Sequence, residues 1–205
     1  GTGSAATIGH GLGVAPQMVI VKERANDVGS WYIYHEGMAV TDPEDYYLVL
    51  NHYDPYGPVD DATIWNDTAP TSTVFSIGTN DDVNGSTDTY VYYAFADVEG
   101  FSKFGSYVGN ANADGPVIYT GFKPSFILLR GVGRRDCFIY DSQRSPYNQI
   151  DKGSIVNEGV SDNTGYYVDF LSNGFKIRSS GGFNASGEIN IFMAFAEYPF
   201  GGEDV

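Results

Sequence analysis

The sequence predicts an all-β chain built as two tandem antiparallel β-sandwich repeats, jelly-roll-like or Greek-key-like in wiring and related by internal duplication. Three observations predict it. Short runs rich in aromatic and β-branched residues, bounded by Gly, Pro, Asn and Asp, fill the chain. No stretch of about twelve residues carries a helical apolar stripe between breakers. Ordered phrases recur at near-constant spacing, the mark of a repeated structural unit.

The strands read in order as MVIVK, WYIYH, YYLVLN, TVFSIG and TYVYYAFA in the first copy. PVIYTGF, FILLR, CFIYD, GYYVDFL, GFKIRS and INIFMAFA follow in the second. Val14–Lys22 answers Phe122–Arg130 at an offset of 108, and Trp31–His35 answers Cys137–Asp141 at 106. Phe75-Ser76-Ile77 answers Phe175-Lys176-Ile177, Asn84-Gly85-Ser86 answers Asn184-Ala185-Ser186, and the Ala-Phe-Ala cores at Ala94 and Ala194 follow, all at 100. About six surplus residues therefore sit in the first copy between Asn51 and Phe75. The repeats are expected at 1–108 and 109–205, with Phe104–Pro116 as linker. Phe75 should occupy the place of Phe175, and Phe95 that of Phe195. Both faces of TYVYYAFAD are apolar, which predicts a central strand or one covered by the sister copy.

A length of 205 residues suits two small cores, and 13 Phe, 16 Tyr and 26 Gly suit short strands and tight turns. Lys and Arg total 11 against 26 Asp and Glu, a net charge of −15. That balance excludes nucleic acid, whose phosphates need clustered cations, and disfavours an anionic membrane surface. No apolar run is long enough to span a bilayer, so no membrane insertion is expected, and no charged-then-apolar leader opens the chain. The opening GTGSAATIG without a Met reads as a fragment or a processed product. The single cysteine, Cys137, excludes an internal disulfide and falls at an apolar strand position, as a small buried hydrophobe.

Catalytic, cofactor and metal motifs are not found. His10, His35 and His52 lack ligand spacing, and GVGRR at Gly131–Arg135 lacks the glycines of a nucleotide loop and reads as a hairpin turn. Asp42, Glu44 and Asp45, or Asp60 and Asp61, could supply a carboxylate pair, but neither group recurs in the second copy. Asp81, Asp82, Asn84, Ser86 and Asp88 resemble a calcium loop without its bidentate Glu, and Asn84-Gly85 reads better as a hairpin turn. The surplus of copy one is the best binding candidate. Tyr53, Tyr56 and Trp65 would present rigid rings to a receptor, with Asp54, Asp60 and Asp61 offering acceptors to sugar hydroxyls. The alternative is that this loop packs on the sister copy or on a neighbouring subunit.

The phrases GTGSAATIGHGLGVAPQMVIVK, TIWNDTAPTSTVFSIGT, YAFADVEGFSKFGSYVGN, DGPVIYTGFKPSFILLR, SPYNQIDK and DFLSNGFKIR with NASGEINIFMAFAE run through the whole chain. Together they resemble a tandem module in the C-terminal parts of phage virion proteins, above all tail-fibre-like ones. In that family a phrase like FGSYVGNANADGP precedes each copy, which implies an equivalent segment ahead of Gly1. The resemblance brings no agreed catalytic residues. It implies a virion location, with other virion proteins as partners, a host surface glycan or protein as target, and a homo-oligomer, a trimer being preferred by analogy. GFKPSFILLR, NGFKIRS and IFMAFAE are similar, more weakly, to the strands of H-type lectin sandwiches. The reading is a non-enzymatic tail-fibre or appendage module for host attachment. A purely structural capsid, tail or decoration block is the alternative, and a glycan-depolymerising enzyme the more distant one.

Overall fold

A computed structural model describes residues 1–24, 29–38, 41–51, 58–133, 136–156, 162 and 165–201. It is all-β, with antiparallel sheets and two four-residue helices. The chain divides into two compact units, Gly1–Ala96 and Asp97–Val205. No helix among the described residues is long and apolar enough to cross a membrane.

In unit 1 the elements are β1 (Ala6–Gly9), β2 (Met18–Glu23), β3 (Trp31–His35), β4 (Tyr46–Val49), β5 (Val59–Asp60), α1 (Ala62–Trp65), β6 (Val74–Ile77), α2 (Asp81–Asn84) and β7 (Tyr90–Phe95). A five-stranded sheet in the order β5-β4-β3-β2-β7 faces the pair β1-β6. Between these layers Val19, Val21, Tyr32 and Tyr34 of the large sheet meet Phe75, Ile77, Ile64 and Trp65. Alternation of side chains along each strand puts these residues on one face, so the period-2 pattern supplies the core directly.

Unit 2 contains β8 (Ser102–Val108), β9 (Val117–Tyr119), β10 (Pro124–Gly131), β11 (Cys137–Asp141), β12 (Gly153–Ile155), β13 (Val168–Leu171), β14 (Gly174–Ile177) and β15 (Ile189–Ala196). Its large sheet runs β12-β11-β10-β15-β8 and its small one β13-β14-β9. Ile127, Leu129, Phe138 and Tyr140 pack there against Phe170, Phe175, Ile177 and Phe183. The aromatic rings meet edge-on, Phe138 on Phe183 at 5.1 Å and Phe175 on Phe192 at 5.4 Å, the arrangement that ring quadrupoles favour.

The run β4-β3-β2-β7 of unit 1 follows the order of β12-β11-β10-β15 in unit 2. Phe95 lies opposite Met18 and Phe195 opposite Phe126, while Phe75 and Phe175 lie on the small-sheet strands β6 and β14. One buried asparagine repeats the same work in each unit. Asn84 Oδ1 accepts from the Thr2 amide at 2.9 Å, and its Nδ2 donates to Gly78 O at 2.8 Å. Asn184 Oδ1 accepts from the Asn110 amide at 2.9 Å, and its Nδ2 donates to Ser179 O at 2.6 Å. Each thereby holds the incoming chain against the turn before the last strand, where a buried backbone group without a partner would be costly.

Three expectations are corrected. The seam lies at Ala96/Asp97, not at Gly109, because the first part of the expected linker, Phe104–Val108, belongs to strand β8, paired with β15 from Ser102↔Phe195 to Val108↔Ile189. Strand β7 is not central: among the described residues it pairs only with β2, and Tyr92 and Tyr93 are 40% and 45% exposed. The hairpin turn expected at Asn84-Gly85 is the C-terminus of α2, nucleated by Asn80, whose Oδ1 accepts from the Asp82 amide at 2.9 Å. Cys137 is buried as expected at 2% exposure, and burial pushes its thiol up to about 12, so it is a protonated packing group at neutral pH.

Candidate functional site

Of the six residues expected to bind, Tyr53, Asp54 and Tyr56 lie outside the described residues. Asp60 is exposed on β5 opposite Tyr46. Asp61 is committed to structure as the N-cap of α1, its Oδ1 accepting from the Thr63 amide at 2.8 Å. Trp65 overturns the expectation of an exposed ring. It is 3% exposed and meets Tyr34 edge-on at 6.3 Å. The capped turn, closed by Asn66 with φ 57°, rolls the indole inward, so a residue in a polar-looking loop became core.

The other polar candidates also have structural work. His35 is 1% exposed, and its Nδ1 accepts from the Gly37 amide at 2.9 Å. Asp82 Oδ2 accepts from the Tyr32 hydroxyl at 2.6 Å, which draws a would-be calcium ligand into a core contact. Asp42, Glu44 and Asp45 share one 3-10 turn, so they do not face one another across a cleft. The Asp45 carboxyl is raised by partial desolvation and then by the negative field of Asp67 and Asp42. Among the described residues no group of three or more His, Cys, Asp or Glu is placed to hold a metal.

An open aromatic site lies in unit 2. Strand β9 alternates Val117 out, Ile118 in and Tyr119 out, which leaves Tyr119 71% exposed. Its ring walls a groove of about 430 Å³ shared with Asp97, Glu99, Lys103 and Thr120. The opposite wall is a tight turn. Gly100, at φ +71°, lets the amides of Phe101 and Ser102 both reach Val98 O at 2.9 Å. Asp97 Oδ1 accepts from the Phe104 amide at 2.8 Å while its other oxygen pairs with the Lys103 ammonium. On the near side Thr120 Oγ1 donates to Phe122 O at 2.7 Å and Gly121, at φ +88°, turns the chain away. A flat ring thus shares a groove with the Asp97 and Glu99 carboxylates and the Lys103 ammonium, a combination suited to stacking on a sugar face while exchanging hydrogen bonds with its hydroxyls. A second ring, Tyr147, is 83% exposed beside a cavity of about 150 Å³ lined by Pro146, Asn148 and Phe170.

Sequence reading missed both sites. Tyr119 stood inside a strand phrase and Asp97–Lys103 ahead of the expected linker Phe104–Pro116; only the out-in-out alternation of Val117-Ile118-Tyr119 signalled an exposed ring. A family model described as a domain of unknown function, DUF7483, matches residues 1–199. The chain belongs to the DUF7483 family. No curated protein matches the chain, and neither does a solved structure. The DUF7483 match runs through both units and so includes the Tyr119 groove.

Proposed function

We propose that this DUF7483 chain is a non-enzymatic attachment module of a phage virion appendage, tail fibre or related, that binds host-surface glycan through the Tyr119 groove of unit 2. The observation that carries the reading is the 71% exposed Tyr119 ring beside the Lys103–Asp97 ion pair and Glu99 in an open groove. The resemblance of the tandem phrases to phage tail-fibre-like modules supplies the setting. Exposed aromatic rings cost stability nothing to keep and solubility something, so their concentration beside polar groups fits a contact surface. Assembly as a homo-oligomer, a trimer by analogy, belongs to the same proposal and is read by a mass measurement in solution.

The test is binding to host-surface polysaccharide and to a glycan array. Tyr119→Ala is expected to weaken binding about 5- to 12-fold, the loss of one stacking platform at about 1–1.5 kcal/mol, with little change in melting temperature because the ring is exposed. Equal binding by the variant places the receptor elsewhere. No binding by the unaltered chain favours the purely structural block, and release of reducing sugar favours the enzyme.

A further inference from the structure

The two units differ at one sheet edge, and the difference has a shape. In unit 2, β8 lies on β15, and its Tyr107 reaches into the core, 8% exposed, with its ring edge-on to Phe175 at 6.4 Å and its hydroxyl donating to Phe183 O at 2.8 Å. Gly105 stands opposite Phe192, and a Cβ there would come within 3.0 Å of the Phe192 ring. Under this strand Phe192 and Met193 fall to 4% and 7% exposure.

Among the described residues, unit 1 has the counterpart surface without the strand. Thr89 O and Phe95 O accept from the amides of Arg24 and Gln17, on the β2 side, so the backbone groups of Tyr90, Tyr92 and Ala94 point the other way. Beside that edge is a cavity of about 460 Å³ lined by Phe75, Val83, Tyr90 and Tyr92, where Phe75 and Val83 correspond to the Phe175 and Phe183 that hold Tyr107. The entry point is matched as well. Gly109, which follows β8, donates to Glu188 O and accepts from the Gly187 amide; Gly1 donates to Asp88 O and accepts from the Thr87 amide. A Cβ on Gly109 would lie 2.3 Å from Ala185 O, and one on Gly1 2.1 Å from Gly85 O.

We propose that the edge of β7 and its cavity are an acceptor for one incoming β-strand of the Phe-Gly-Ser-Tyr pattern, supplied by residues joined to the amino group of Gly1. Its tyrosine fills the cavity and its glycine faces Tyr92. Chain running backwards from Gly1 in the direction that β8 takes from Gly109 lies along β7, antiparallel to it. Open edges of this kind recruit strands by main-chain hydrogen bonds, and a side-chain slot sets register. The proposal is independent of glycan binding: it makes successive modules interlock, each completed by the chain that enters it.

The test adds Ser-Lys-Phe-Gly-Ser-Tyr-Val, the sequence of β8, ahead of Gly1 of the full chain. Amide exchange at Tyr90, Tyr92 and Ala94 is expected to slow about 100-fold or more, with the protein keeping its unextended oligomeric state. The same extension with its tyrosine replaced by alanine is expected to lose most of that protection. Unchanged exchange at the three amides overturns the proposal. So does protection that appears only with a new dimer, since the strand would then come from a second copy, and so does full protection by the alanine extension, since the cavity would then select nothing.

Discussion

Asn184→Ala is expected to destabilise unit 2 by about 3 kcal/mol. The side chain is 0% exposed and serves two stretches of backbone at once. Its Nδ2 donates to Ser179 O at 2.6 Å, Asn112 O at 2.9 Å and Asn110 Oδ1 at 3.1 Å, while its Oδ1 accepts from the Asn110 amide at 2.9 Å. Alanine leaves two carbonyls and one amide to find water, and each buried group left unsatisfied costs about 1–3 kcal/mol. The net is smaller than the sum because water enters beside the exposed Asn112. Asn184→Asp keeps the volume but turns a carboxylate oxygen toward Ser179 O and Asn112 O, so it is expected to do no better. Asn84→Ala is expected to act alike in unit 1, and there tryptophan fluorescence reads the effect, since Trp31 and Trp65 are the only tryptophans. Denaturant titration followed by circular dichroism measures the unit 2 variants; a change under 1 kcal/mol for Asn184→Ala would show that water replaces the clamp.

Gly174→Ala is expected to be at least as damaging, by about 3 kcal/mol or more, for a steric reason. Gly174 opens β14 opposite Tyr119, and a Cβ there would sit 2.0 Å from Ile118 O and 3.1 Å from Tyr119 Cα. Both obstacles are backbone, so β9 must part from β14 and the buried Phe175↔Ile118 pair opens with it. Because Tyr119 rides on β9, glycan binding should fall together with stability, whereas Tyr119→Ala separates the two. Gly187→Ala is the control. It has φ +74° but nothing within 4 Å of its Cβ, so only the backbone penalty of about 1 kcal/mol applies. Equal melting temperatures for Gly174→Ala and the unaltered chain would mean that β9 is not fixed against β14 in solution.

Most strands were legible because alternation and turn residues are local signals; of the repeated phrases, Phe75 and Phe175 each fall on a small-sheet strand, and Phe95 and Phe195 each on a large-sheet strand. Strand β8 was not, because Lys103, Gly105 and Ser106 dilute its apolar pattern and its partner β15 lies over eighty residues away in the chain. The exposed edge of β7 was missed for the opposite reason. Its sequence is as apolar as that of a covered strand, and apolar residues on a strand do not say whether a neighbour is present. Trp65 misled because composition marked a binding loop, while the Asp61 cap and the left-handed Asn66 decided which way the ring turned. The tyrosine groove rests on residues brought together from Asp97–Lys103 and Tyr119–Gly121 by a β-turn and a sheet pairing that no short phrase encodes.

Both units share one run of four strands, which β8 covers at β15 in unit 2 and which, among the described residues, stays open at β7 in unit 1. Native-state hydrogen exchange on the unaltered chain tests this most directly. The amides of Asn190, Phe192 and Ala194, on the β8 side of β15, are expected to exchange about 100-fold or more slowly than those of Tyr90, Tyr92 and Ala94, whereas Val91 and Tyr93, on the β2 side, should be protected like Ile191 and Met193. Equal protection of Tyr92 and Phe192 would contradict the account, because it would mean that β7 already has a neighbour.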